Sequence, residues 1–162
     1  MFKYEHYFFI IMAAAKKTPY FKQTQQDVLV DGLNQFAGRI REISQKCLRK
    51  TGLQVTVERM IQFVILELLR IIFGLTTRAV HWIFSSHRAE RVKTYFELKT
   101  GRFPGGSTVN RRLPLVRAAI LEDIQALAMK LIDYFYLSVG QLAREGIKAL
   151  FAEGRVKVTP PA

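Results

Sequence analysis

IQFVILELLRIIFGL, residues Ile61 to Leu75, is the most apolar stretch of a 162-residue chain, and its only charges are Glu67 and Arg70. Whether it crosses a membrane, fills a core or holds a partner decides the fold. A membrane-spanning helix needs about 20 predominantly apolar residues. Here Glu58 and Arg59 bound the run on one side and Arg78 on the other, with Gln62, Glu67 and Arg70 inside it. A charge near the middle of a membrane helix costs about 2.5–3.5 kcal/mol, a penalty that i, i+3 pairing of Glu67 with Arg70 reduces without removing. Lipid is the weaker reading. On a helix, Phe63, Val64, Ile65, Leu66, Leu68, Leu69, Ile71, Ile72 and Phe73 fall nearly all the way round, so the helix must be covered on more than one face.

Working outward, a helical pattern starts at Asp31. The first helix is expected over Leu33 to Leu48, with Phe36, Ile40, Ile43 and Cys47 as one apolar stripe, and Gly52 is its natural stop. Thr56 is an acceptable cap for a second helix running to about Phe84, about thirty residues or roughly 45 Å. Beyond Ser85-Ser86, Val92, Phe96 and Leu98 support a short helix before a turn at Phe103-Pro104-Gly105-Gly106. Val116, Ile120, Ile124, Leu127, Leu131 and Phe135, spaced 4, 4, 3, 4, 4, form the buried face of a third long helix. A closing helix, SVGQLAREGIKALFAEG, turns Leu142, Ile147, Leu150 and Phe151 inward and ends at Gly154. No repeat and no strand pattern occurs, so the class is all-α. The first residues, MFKYEHYFFIIMAAAKK, read as a tail, with a secretory or mitochondrial leader and an alternative start at Met12 as open alternatives.

A hydrophobic content of 49% suffices for a core, and a net charge of +12 points to an anionic partner: nucleic acid, an acidic protein or a phospholipid surface. The excess is local. From Arg78 to Arg117 run Arg78, Arg88, Arg91, Lys93, Lys99, Arg102, Arg111, Arg112 and Arg117 against only Glu90 and Glu97, either an anion-facing surface or a solvated charged face. The single cysteine, Cys47, excludes an internal disulfide and suits a small core filler better than a nucleophile. His6, His81 and His87 lack metal-ligand spacing, and neither a P-loop nor a G-x-G-x-x-G fingerprint occurs. Glu122 and Asp123 are neighbours that diverge by about 100° on a helix, so they are no acid/base couple. No enzyme, cofactor or metal is expected.

A helix that its flanking stripes cannot cover calls for a second chain, and a long central helix between shorter ones, completed by a dimer, describes the histone fold. Thr51 to Val80, TGLQVTVERMIQFVILELLRIIFGLTTRAV, resembles a divergent core histone of the 2B class from loop 1 through the central helix. Thr51, Gly52, Gly74 and Arg78 match that class, and Leu53, Met60, Ile61, Val64 and Leu68 fall at its apolar positions. Asp123-Ile124-Gln125-Ala126 resembles the start of the class's third helix, and Gly140-Gln141-Leu142-Ala143-Arg144 the start of its extra C-terminal helix. The departures are about twenty extra residues before the third helix, the insert DYFYL before Gly140, and a likeness of residues 113–132 to the 2A class, which leaves a rearranged or fused histone open. The basic N-terminal tail of the class is missing. Such divergence suits a giant-virus or protist histone.

The resemblance implies a histone fold with a tail over 1–30, a domain over 31–154 containing an insertion at about 86–107 and a C-terminal helix at about 138–153, and a tail over 155–162. It implies a DNA-packaging protein that dimerises with a histone 2A-like chain, joins other core histones in an octamer-like particle, and contacts double-stranded DNA without sequence preference. The implied DNA contacts are Arg39, Arg41, Arg49, Lys50, Thr51, Lys99, Arg102, Thr108, Arg111 and Arg112. The implied partner interface is Phe63, Val64, Leu68, Ile71, Ile72, Ile124, Leu127 and Leu131. Gln141 and Ala149 stand where the class has acidic-patch glutamates, so that patch is not expected, and the insertion is expected to extend DNA contact or brace a neighbouring subunit. The compartment implied is the nucleus, or a virion and its host's nucleus. The alternative is a helical accessory subunit of a mitochondrial or other membrane complex.

Overall fold

Gly74 decides how the apolar stretch is used. Its φ of 62° is left-handed, its N–H bonds the Ile71 carbonyl at 3.2 Å and the N–H of Leu75 bonds the Arg70 carbonyl at 2.9 Å. That pair of bonds is a Schellman stop. Two residues on, the hydroxyl of Thr76 accepts the N–H of Ala79 at 3.1 Å and starts a new helix. The single helix expected from Thr56 to Phe84 is therefore two, meeting at 106°.

The computed structural model describes residues 21–152, with side chains described for 26–87 and 89–138. The expected leader, the end at Gly154 and the C-terminal tail lie outside the described residues, as do the side chains of Gln141, Leu142, Ile147, Ala149, Leu150 and Phe151. Seven α-helices and no strand occur among the described residues: α1 (Phe21–Gln35), α2 (Ala37–Thr51), α3 (Val57–Phe73), α4 (Thr77–Ser85), α5 (Glu90–Thr100), α6 (Gly106–Ala119) and α7 (Leu121–Ala152), with a 3₁₀ turn at His87–Ala89. The all-α class holds. Helix begins at Phe21, ahead of the expected start, and Val28, Leu29 and Leu33 of α1 are buried, so residues 21–30 belong to the domain and not to a tail.

α3 sits in the middle, packed by α2, α4, α5, α6 and α7. Every residue from Gln62 to Leu69 is buried. The cover that α3 needs comes from the chain itself. The expected insertion builds α5 and the turn after it, placing Val92, Phe96 and Phe103 in the core. The six-residue stripe from Val116 to Phe135 is buried throughout, but the helix breaks at Ile120, so α6 supplies its start and α7 the rest. α7 then continues through the DYFYL insert to Ala152 as the longest helix, so the third and C-terminal helices expected separately are one. With 15, 17 and 9 residues in α2, α3 and α4, the central helix of about thirty residues is not found. Phe63, Val64, Leu68, Ile71, Ile72, Ile124, Leu127 and Leu131, assigned to a partner interface, are all buried within this chain. At about 1.5–3 kcal/mol for each large apolar side chain buried, that closure is a main source of stability.

The smaller expectations follow the caps. Thr56 accepts the N–H of Arg59 at 3.1 Å and starts α3. Gly52, with φ of 64°, ends α2 where expected. No single described helix is long and apolar enough to cross a membrane; α3 and α4 pass together only by length and composition, across their sharp bend.

Candidate nucleic-acid interface

The two charges inside the apolar stretch are paired in the core. Glu67 is fully buried, and it accepts from Arg70 Nη2 at 2.7 Å and from Arg117 Nε at 2.6 Å. Arg117 also donates to the hydroxyl of Thr77 at 3.1 Å, so one carboxylate fastens α3 to α6 and to the start of α4. Arg117 is thereby withdrawn from the basic run, as is Arg91, which ion-pairs with Asp27 of α1.

The expected DNA contacts separate into two groups. On α2, Arg39 donates to Glu42 at 3.1 Å and to Asp123 at 3.4 Å, Arg41 faces Glu58 at 3.9 Å, and Lys50 donates to the Ala119 carbonyl at 3.3 Å. The hydroxyl of Thr51 donates to the Cys47 carbonyl at 2.8 Å, and among the described residues Arg49 is the cation of this group with neither an ion pair nor a side-chain hydrogen bond. Asp123 is held below the usual carboxylate range, chiefly by the hydrogen bond from Lys46 at 2.8 Å. Two cations of α2, Arg39 and Lys46, are thus paired with Asp123 at the start of α7.

The second group is open. Lys99, Arg102, Arg111 and Arg112 form no ion pair among the described residues. Arg102, Thr108 and Arg112 line one cavity of about 340 Å³ together with Arg59, over a floor that includes Phe63 and Phe103. Lys99 and Arg41 line a smaller cavity, about 160 Å³, walled by Ile40, Ile61 and Ile65. No carboxylate lines either cavity.

The loop that carries Arg102 is fixed from below. Gln62, fully buried on α3, directs its amide N–H groups at the Thr100 hydroxyl at 2.9 Å and at the carbonyls of Gly101 and Arg102, both at 3.1 Å. Arg59 Nη1 donates to Gln62 Oε1 at 2.8 Å and to the Arg102 carbonyl at 3.2 Å. Gly101 turns this loop with φ of 98°, a conformation that side chains rarely adopt. From α4, His81 Nε2 lies 2.9 Å from the Pro104 carbonyl, an acceptor only, so that nitrogen carries the proton. The cradle is held by α3 and α4 before any ligand arrives.

Arg59 and Gln62 were not singled out from the sequence. In sequence Arg59 is a charge that bounds the apolar run and Gln62 an interruption of it; only the fold brings them to a loop far along the chain. Cys47 is fully buried, and burial pushes its thiol up to about 11 against the opposing effect of Lys50, so it stays protonated at neutral pH. No family model, curated protein or solved structure matches this chain.

Proposed function

We propose that the protein binds the backbone of nucleic acid without sequence preference and compacts double-stranded DNA by charge. This keeps the electrostatic part of the role that the histone resemblance implies. The observation that carries it is the run of cations Lys99, Arg102, Arg111 and Arg112 on the end of α5, the following loop and α6, which form no ion pair among the described residues, in a chain of net charge +12. Unpaired arginines and lysines release condensed counterions from the backbone when they neutralise phosphates, which gives affinity without reading bases.

A 2A-like partner has a different part here from the one the sequence suggested. Because α3 is covered within the chain, a second subunit adds DNA-contacting surface and does not complete the core. The reading fits compartments that hold DNA, a nucleus or a virion. Two unrelated duplexes titrated at low salt, with nuclease digestion of the complexes and sedimentation with and without a 2A-class histone, test it. Equal affinity for both duplexes and protection of DNA are expected. Failure to shift either duplex, or a requirement for detergent to keep the protein in solution, would overturn it and favour the membrane-complex alternative.

A further inference from the structure

We propose that the cavity between the start of α3, residues 101–105 and α6 is a binding site for a phosphate monoester. Three arginines, Arg59, Arg102 and Arg112, line it with Thr108 and no carboxylate. Like charges gathered without a counter-charge repel one another, and an anion between them reverses the sign of that interaction. Guanidinium is the side chain whose planar fork matches phosphate oxygens two at a time. The volume, about 340 Å³, falls within the range of small-molecule sites, about 300–1,000 Å³. Gln62 and Arg59 fix the loop by the hydrogen bonds described above, so little ordering remains for a ligand to impose. Phe63 and Phe103 form a low-dielectric floor that strengthens charge interactions above it.

The shape selects the ester. An internal phosphodiester of a duplex is tethered on two sides and lies on a convex backbone, so it meets the arginines from the rim and does not enter the cavity. A monoester is tethered once, carries a charge of about −1.5 to −2 at neutral pH, and can enter. The same chemistry is offered by a free small phosphoester and by the 5′-phosphate end of a nucleic acid. The site does not depend on the duplex reading: phosphate binding that survives while both duplexes fail to shift would sink that reading and leave this one.

Calorimetric titration of the full chain with inorganic phosphate is the test, with a 5′-phosphorylated oligonucleotide and its 5′-hydroxyl counterpart as competitors. One saturable site is expected, weakened about tenfold by Arg102→Gln or Arg112→Gln, as loss of one charge-assisted hydrogen bond implies. Lys130→Gln, exposed on α7 and outside the lining, should leave it unchanged. Thr108→Asp places a carboxylate in the cavity at a helix start, where an acid is tolerated, and should abolish phosphate binding while the protein stays folded. Competition by the phosphorylated oligonucleotide alone assigns the site to nucleic-acid ends; competition by neither assigns it to small phosphoesters, and both results support the proposal. Absence of saturable phosphate binding, or undiminished affinity in folded Thr108→Asp, overturns it.

Discussion

The two ends of α3 hold arginines in opposite ways. At its C-terminal end Arg70 and Arg117 close on Glu67, which is buried, and the group fastens three helices together. At its N-terminal end Arg59 meets Arg102 and Arg112 around a cavity with no carboxylate. The residue type is the same and the counter-charge differs. Where the chain supplies its own anion the arginines stabilise the fold, and where it does not they are left for an anion from outside. A count of basic residues along the sequence cannot separate these roles, because Arg117 and Arg112 lie on one helix and perform different ones.

Removing the internal anion should give the largest effect. Glu67→Ala leaves Arg70 and Arg117 facing each other in partial burial, and a broken buried pair costs about 3–5 kcal/mol. The lower end, about 3 kcal/mol, is expected because the two side chains keep 22% and 30% of their exposure and can rehydrate. Chemical denaturation measures the loss, and phosphate titration of the folded variant should show the N-terminal end unaffected. An undiminished denaturation midpoint would mean that the buried carboxylate does not hold the helices together.

The contrast between closed and open surroundings extends to two helical glycines. A Cβ on Gly32 of α1 would come within 2.4 Å of the Phe135 ring of α7, which is fully buried and cannot swing away. Gly32→Ala is expected to destabilise by about 1–3 kcal/mol through overpacking, more than the helix propensity it gains. Gly38 of α2 has nothing within 4 Å of its Cβ position, so Gly38→Ala should instead stabilise by about 0.5–1 kcal/mol. Thermal melts of the two variants moving in the same direction would contradict the α1–α7 contact.

Much of the fold was legible in the sequence, and the errors have physical causes. The all-α class, the caps at Thr56 and Gly52, and the buried stripe from Val116 to Phe135 follow from periodicity and terminal chemistry, which are local. The continuous central helix was wrong because Gly74 was weighed as a residue matching a family position and not as a left-handed stop followed by the Thr76 cap. That α3 finds its cover within the chain was illegible for a related reason. Residues 86–107, set aside as an insertion, contribute Val92, Phe96 and Phe103 to the cover that α3 needs. Of the site, Arg102, Thr108 and Arg112 were visible as a basic cluster, whereas Arg59 reaches them only through the packing of α3 beneath the 101–105 loop.

Asp123 lies between the two extremes, a half-buried carboxylate shared by Lys46 and Arg39 at the surface. Its folded pKa is depressed, chiefly by the Lys46 hydrogen bond, so its contribution to stability is present above the unfolded value of about 3.9 and is lost as pH falls through the folded value. A small acid-side decline is expected in the wild type below about pH 4, diminished in Asp123→Asn. Melting temperatures followed from neutral to acid pH measure it, and identical pH profiles would show that the Lys46–Asp123 link between α2 and α7 does not stabilise the fold.

The division between a closed and an open end of α3 is tested most directly by the salt dependence of duplex binding in the wild type and in Arg102→Gln/Arg112→Gln. The logarithm of the binding constant should fall linearly with the logarithm of salt concentration, with the same slope for two unrelated duplexes. In the double variant the slope should be shallower by about 2, one unit for each phosphate contact removed. An unchanged slope in a folded double variant, or a slope that differs between the duplexes, would contradict backbone binding by the open arginines.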